Sequence, residues 1–281
     1  MEKWIGDLLI DLSPPERAKF KAPLILVHGL WSSSRCWDSW ATHFSNLGWE
    51  CWAVNFRGRF GADAGRALKR LSFDDCVADL KRVVRAAPAP PVVLAHDLGG
   101  LIALKAVANE KAAALALAAP VPPKNIAPEL PRALQLLRLK YRPLVFLRRS
   151  FRLEEKDFTR LWLAPDSERG AAAPPGCLVA DAHRLIAEFF ARGAALDPGA
   201  VACPVLVAAA GEDRVAPLAA LRRFAQWLGA DFRAFAGRGH WLIGAAGGEE
   251  AVREVHRWIV QKAGAEMLLE EAGGPLPEPT D

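Results

Sequence analysis

Three short stretches of the sequence carry an acid, a second acid and an imidazole in settings suited to chemistry. In Pro91-Val-Val-Leu-Ala-His96-Asp97-Leu98-Gly-Gly100 an apolar run ends in an aspartate followed by a leucine and two glycines. The run reads as a buried strand, and the glycines let a following helix pack closely. Asp97 is therefore expected at the apex of a tight strand-to-helix turn with its side chain held out. In Gly211-Glu-Asp213-Arg-Val-Ala-Pro217, Asp213 ends another apolar run, where an acid can orient a histidine. Gly237-Arg-Gly-His240-Trp241-Leu offers an imidazole on a glycine-loosened loop. A fourth stretch, His28-Gly29-Leu30-Trp31, can turn a backbone N–H toward the same place.

An apical carboxylate is already ionised at neutral pH and needs no base in order to attack. Its attack on an ester would give an anhydride that readily reverts. Its attack on an sp3 carbon gives an ordinary ester, which a histidine held by a second acid can hydrolyse by activating water. His28, His96 and His240 lie in separate loops and lack the local spacing of a zinc site. With neither GxGxxG nor a P-loop, no cofactor is expected. His96 is expected to face the core or a loop carbonyl, and Arg57 and Arg59 to be structural.

The elements that must position these groups alternate. Strands are expected over 22–28, 50–56, 91–96, 113–119, 203–213 and 230–235. Helices are expected over 36–48, 73–87 with Ser72 as cap, 98–110, 218–229 and 249–264. This order predicts an α/β fold with a mostly parallel sheet flanked by helices, in which ligands bind beyond the carboxyl ends of the strands. The rhythm breaks between 121 and 200, a stretch rich in proline that reads as helical and without a strand. The division is thus a core of 1–120 and 201–265, a helical cap of 121–200, and a disordered tail of 266–281 rich in Gly, Pro and acid.

The 281 residues, half of them apolar, suffice for one large α/β domain with an insertion. A net charge of +4 does not suggest a nucleic-acid partner. Five scattered cysteines (36, 51, 76, 177 and 203) form no CxxC pair and are expected to be reduced thiols of a cytoplasmic protein. No stretch has the apolar length of a membrane span or a signal h-region.

The elbow at Asp97, the HG pair, GEDRVAP and GRGHW, in that order and each after a strand, resemble the α/β-hydrolase family over nearly the whole chain. The resemblance implies Asp97, Asp213 and His240 as a triad and the N–H groups of Leu30 and Leu98 as an oxyanion hole. An aspartate apex is similar to that of epoxide hydrolases and haloalkane dehalogenases. The dehalogenase pattern is not met: Leu98 and Leu30 stand where halide-binding residues are expected, and LALAAPVPP lacks the alternative acid. Epoxide hydrolases use cap tyrosines as acids, and the sole tyrosine, Tyr141, lies in the cap. The HG-Leu-Trp start and the GRGHWLI loop look more like the serine esterase and lactonase branch. That likeness leaves open Asp97 as a general base, a non-hydrolytic proton transfer, or a non-catalytic ligand-binding protein.

Trp31 and Trp241 flank the candidate loops and Trp162 lies in the cap. With His28 they are expected to line an apolar pocket for a small hydrophobic or ring-bearing substrate. The segment 124–160 has ten Lys/Arg against Glu129, Glu154, Glu155 and Asp157. A solvated face is the plain reading, and an anionic partner at this basic cap is the alternative.

Overall fold

A computed structural model describes residues 1–61, 63–163, 176–244 and 248–268. An eight-stranded sheet in the order β1-β2-β4-β3-β5-β6-β9-β10 forms its centre. The strands are β1 (Glu2–Ile5), β2 (Leu8–Ser13), β3 (Leu24–Val27), β4 (Cys51–Val54), β5 (Val92–Asp97), β6 (Ala114–Pro120), β9 (Val205–Ala210) and β10 (Asp231–Phe235). From β4 to β10 neighbouring strands run parallel, while β1 and β2 pair antiparallel at one edge. The edge hairpin was not expected from sequence. Its two-residue Gly6-Asp7 turn places Gly6 at φ 62°, a conformation that glycine adopts without steric cost.

Strands β3, β5, β6 and β9 are buried throughout, which is why they read as continuous apolar runs. Helices α1 (Asp38–Asn46), α3 (Phe73–Arg85), α4 (Leu98–Val107), α8 (Leu218–Leu228) and α9 (Glu249–Met267) fall where the apolar spacing put them. A short α2 (Ala64–Arg70) follows β4 and was not anticipated. Ser72 caps α3 through a reciprocal box with Asp75. Nearly all of α4 is buried, so it is apolar on every side instead of striped.

Between β6 and β9 the chain forms α5 (Arg132–Phe146), α6 (Glu155–Trp162) and α7 (His183–Ala191). It also forms a two-residue ladder, β7 (Phe151–Arg152) with β8 (Ala180–Asp181), which corrects the reading of this stretch as strand-free. Residues 164–175 of the expected cap lie outside the described residues. The expected disordered tail mostly does too, but α9 continues to Met267, and Leu268 bridges Phe20, so order extends past the expected boundary at 265.

Candidate active site

The site begins with strain at one residue. Asp97 ends β5 at φ 55° and ψ −128°, a backbone state that costs a non-glycine residue about 1–3 kcal/mol. The β5–β6 register shifts between His96 and Asp97, so the chain leaves the ladder where the elbow forms. Two glycines permit the close packing. A Cβ at Gly29 would come within 2.6 Å of Asp97 Oδ2, and one at Gly99 within 2.5 Å of the His28 carbonyl oxygen.

The triad residues predicted from sequence meet. His240 Nδ1 lies 2.8 Å from Asp213 Oδ2, and its Nε2 lies 3.2 Å from Asp97 Oδ1. The second oxygen of Asp213 accepts from the N–H groups of Val215 and Ala216 at 2.8 and 2.7 Å, which fixes the acid. The Leu30 N–H donates to Asp97 Oδ2 at 2.8 Å. Leu98 opens α4, so its N–H is one of the first-turn donors without a partner inside the helix. One oxygen of Asp97 is therefore seated on the Leu30 donor and the other faces the imidazole.

All three groups are buried, and their charges interact strongly. Burial alone would push His240 toward the neutral form. The Asp213 carboxylate, by charge and hydrogen bond, and then Asp97 overcome this and raise its pKa to about 10. Burial likewise opposes the ionised form of Asp97, but the His240 hydrogen bond and charge, His96 and the Leu30 N–H hold its carboxyl below the usual range. The two acids thus favour the imidazolium form of His240. By contrast, burial drives His28 down to about 3 and His96 to about 4, so both are neutral.

The neutral His96 donates through Nε2 to the His240 carbonyl at 2.9 Å and so holds the His240 loop. This agrees with its expected orientation toward a loop carbonyl. His28 sits beside the elbow with Nδ1 on the Gly29 carbonyl at 2.8 Å and its ring edge-on to Phe56.

The aromatic residues expected to line a pocket gather beside His240 and pack on one another. Trp31, buried and at φ 56°, meets Trp162 and Phe189 edge-on with centroids 5.9 and 6.0 Å apart. Trp162 stands edge-on to the His240 ring at 5.7 Å, and the Trp241 N–H donates to the Trp162 carbonyl at 2.7 Å. The Trp241 ring packs edge-on against Phe158 at 5.0 Å.

Tyr141 departs from expectation. Its hydroxyl donates to Asp157 at 2.8 Å and accepts from the Glu154 N–H at 3.2 Å, while its ring stacks on Phe151. The hydroxyl proton is thus engaged with Asp157, and among the described residues no hydrogen bond joins Tyr141 to Asp97.

Sequence reading missed the pair that ties the inserted segment to the HG loop. Arg59 and Asp181 form a fully buried ion pair at 2.8 Å, and Asp181 Oδ2 also accepts the Trp31 N–H at 2.8 Å. Arg59 further donates to the carbonyls of Ser32 and Ala180, each at 3.0 Å. Arg59 is structural as expected, but what it holds is the loop that carries the Leu30 donor. Among the described residues no cluster of His, Cys, Asp or Glu is suited to a metal ion.

The sequence profile of the alpha/beta hydrolase family matches residues 24–254. No curated protein matches the sequence. Similar solved structures include a soluble variant of a monoglyceride lipase from Saccharomyces cerevisiae, at TM-score 0.71 and 15% identity over 94% of this chain and 95% of that one. A putative non-heme bromoperoxidase from Mycobacterium tuberculosis gives TM-score 0.68 and 19% identity over 92% and 97%. A thermophilic esterase from Thermogutta terrifontis gives TM-score 0.66 and 15% identity over 91% and 94%. At such identities the likeness speaks to the fold, and the family match adds descent: this chain belongs to the alpha/beta hydrolase family.

Proposed function

We propose that the protein is a cofactor-independent hydrolase in which Asp97 attacks an sp3 carbon, as in epoxide hydrolases, and His240 completes hydrolysis of the resulting ester. The observation that carries this reading is the division of labour between the two Asp97 oxygens. Oδ2 rests on the Leu30 N–H at 2.8 Å, and Oδ1 faces the His240 ring. If Oδ1 forms the bond to carbon, Oδ2 becomes the ester carbonyl oxygen, already on a donor that would stabilise the oxyanion of the next step.

The resting ion pair supports the same sequence and supplies the acid that Tyr141 does not. As Asp97 opens an epoxide, the His240 imidazolium gives its proton to the departing oxygen. The ester carries no charge, so His240 keeps only Asp213 as a carboxylate partner and is left neutral. It then takes a proton from water, and the hydroxide adds to the Asp97 carbonyl carbon. Collapse of that intermediate breaks the bond between the Asp97 carboxyl carbon and Oδ1, and Oδ1 leaves with the substrate as an alkoxide. The remaining proton passes to the released alkoxide, which restores the Asp97 carboxylate and the imidazolium. The sum is epoxide plus water giving diol. The aromatic wall of Trp31, Trp162 and Phe189 suits a hydrophobic or ring-bearing substrate.

Trapping tests the proposal. His240→Gln removes the base of the second step and the proton donor of the first. An aryl epoxide is therefore expected to alkylate Asp97 slowly and to leave one substrate equivalent on its peptide in intact-mass and peptide mass spectra. Wild type quenched in acid during the first turnover should carry the same adduct. Diol formation by wild type with the adduct absent from both contradicts the proposal and favours Asp97 as a base acting on water.

A further inference from the structure

The outer face of α5 carries a feature that the candidate site does not use. Leu134, Leu137 and Tyr141 pack inward. On the opposite side Leu136, Leu139, Pro143 and Phe146 recur at helical spacing, and Leu147 follows in the next turn. Leu136 is 53% exposed, Leu139 65%, Phe146 84% and Leu147 60%. They are half of the eight large apolar side chains exposed among the described residues, gathered on one helix and its exit. A contiguous patch of this kind marks an interaction surface.

Its surroundings name the partner's charge. Between Leu130 and Leu153 the chain has seven cations (Arg132, Arg138, Lys140, Arg142, Arg148, Arg149 and Arg152) and no acid. Lys140 pairs with Glu154 and Asp157, whereas the arginines of this run form no ion pair among the described residues. At one flank the stripe runs into a cleft of about 570 Å³ bordered by Leu139, Phe190, Lys124, Arg138, Arg142 and Arg192. Arg192 is only 4% exposed, yet among the described residues its Nε has no hydrogen-bond acceptor, and Nη2 donates to the Pro128 carbonyl at 3.3 Å. A guanidinium buried without a counter-charge is costly, and an entering phosphate would relieve that cost.

We propose that the outer face of α5 docks on an anionic lipid bilayer, with the leucines and Phe146 in the acyl boundary, the flanking arginines on phosphates, and one headgroup in the Arg192 cleft. Apolar side chains along the centre of a helix with cations on its borders are what an interfacial helix requires. A second copy of the chain is disfavoured as the occupant, because it would bring one acid-free cationic face against another. Among the described helices none is long and apolar enough to cross a membrane, so the contact is peripheral. Docking would bring membrane-dissolved substrate to the same segment that supplies Trp162 and Phe189 to the site.

Co-sedimentation with vesicles tests this without any substrate. The full chain is expected to bind phosphatidylcholine vesicles containing about 30% phosphatidylglycerol at least tenfold more tightly than pure phosphatidylcholine, and to release as salt rises from about 0.1 M to 1 M. Arg138→Gln with Arg142→Gln should weaken binding about thirtyfold, and Arg192→Met about fivefold. Phe146→Ser should weaken it at least tenfold. Unchanged melting temperatures of the surface variants keep folding out of the comparison. Equal retention on neutral vesicles, no binding, or indifference to these substitutions overturns the proposal. So does a vesicle-free dimer in sedimentation velocity that Phe146→Ser abolishes, which would assign the stripe to a second copy. Asp97→Asn should bind vesicles like wild type, so this result stands apart from the outcome for the chemistry.

Discussion

Asp97→Asn removes one charge from the site and keeps its shape. The Leu30 N–H still finds an amide oxygen, while His240 loses a carboxylate 3.2 Å from Nε2. Two unit charges at that distance interact by about 5 kcal/mol at an effective dielectric constant of about 20. That sets a ceiling of about 4 pH units, at about 1.4 kcal/mol per unit. Relaxation and the surviving Asp213 contact reduce the effect, and a neighbouring opposite charge ordinarily shifts a pKa by about 1–3 units. The His240 pKa is therefore expected to fall from about 10 by at least one unit. Long-range proton–nitrogen NMR of the imidazoles, with the signal assigned by His240→Gln, reads this directly. His28 and His96, protonating near 3 and 4, stay silent in the same range. A wild-type His240 that titrates near the ordinary histidine value, or the same pKa in both proteins, would refute the ion-pair description.

Further outcomes follow from the same geometry. Tyr141→Phe should leave kcat within about threefold and lower stability by about 1 kcal/mol, because the hydroxyl serves Asp157; a loss of turnover of a hundredfold or more in steady-state assays would restore it as the acid. Arg59→Ala leaves Asp181 buried and unpaired and should cost about 3–5 kcal/mol in urea unfolding, with Arg59→Met plus Asp181→Leu recovering much of that. Stability should peak near pH 6.5. Below it, the unfolded chain takes up protons that native His28 and His96 refuse, which costs up to about 1.4 kcal/mol per unit for each. Above it, the contribution of His240, fully present below its unfolded pKa, is lost progressively toward pH 10. Denaturant titrations across pH 4–9 would show the dome, and a flat profile would contradict these assignments.

Local signals carried most of the architecture. The glycines after Asp97, the capping residue Ser72 and the left-handed Gly229 that ends α8 each act within a few residues, so their elements were legible. The order of the four loops, three of them following strands that are buried throughout, brought Leu30, Asp97, Asp213 and His240 to one point. The edge hairpin has a local signal in its two-residue Gly6-Asp7 turn, but β1 is four residues long and nowhere fully buried, so it carries no apolar run to mark it as a strand. The rest was decided by distant partners. Nothing near Arg59 announces Asp181, and nothing near Tyr141 says that Asp157, a helix away, will accept its hydrogen bond. Likewise, a count of basic residues in the inserted segment could not show that the leucines beside them face outward.

Bonding of an Asp97 oxygen to substrate carbon leaves its mark in one turnover in heavy-oxygen water. With enzyme in excess over an aryl epoxide, hydroxide adds to the Asp97 carbonyl carbon. Heavy oxygen is therefore expected in the Asp97 carboxylate by peptide mass spectrometry, with an unlabelled diol from that first turnover. Heavy oxygen in the diol with an unlabelled Asp97 peptide would show that water attacked the substrate itself and would contradict that bonding.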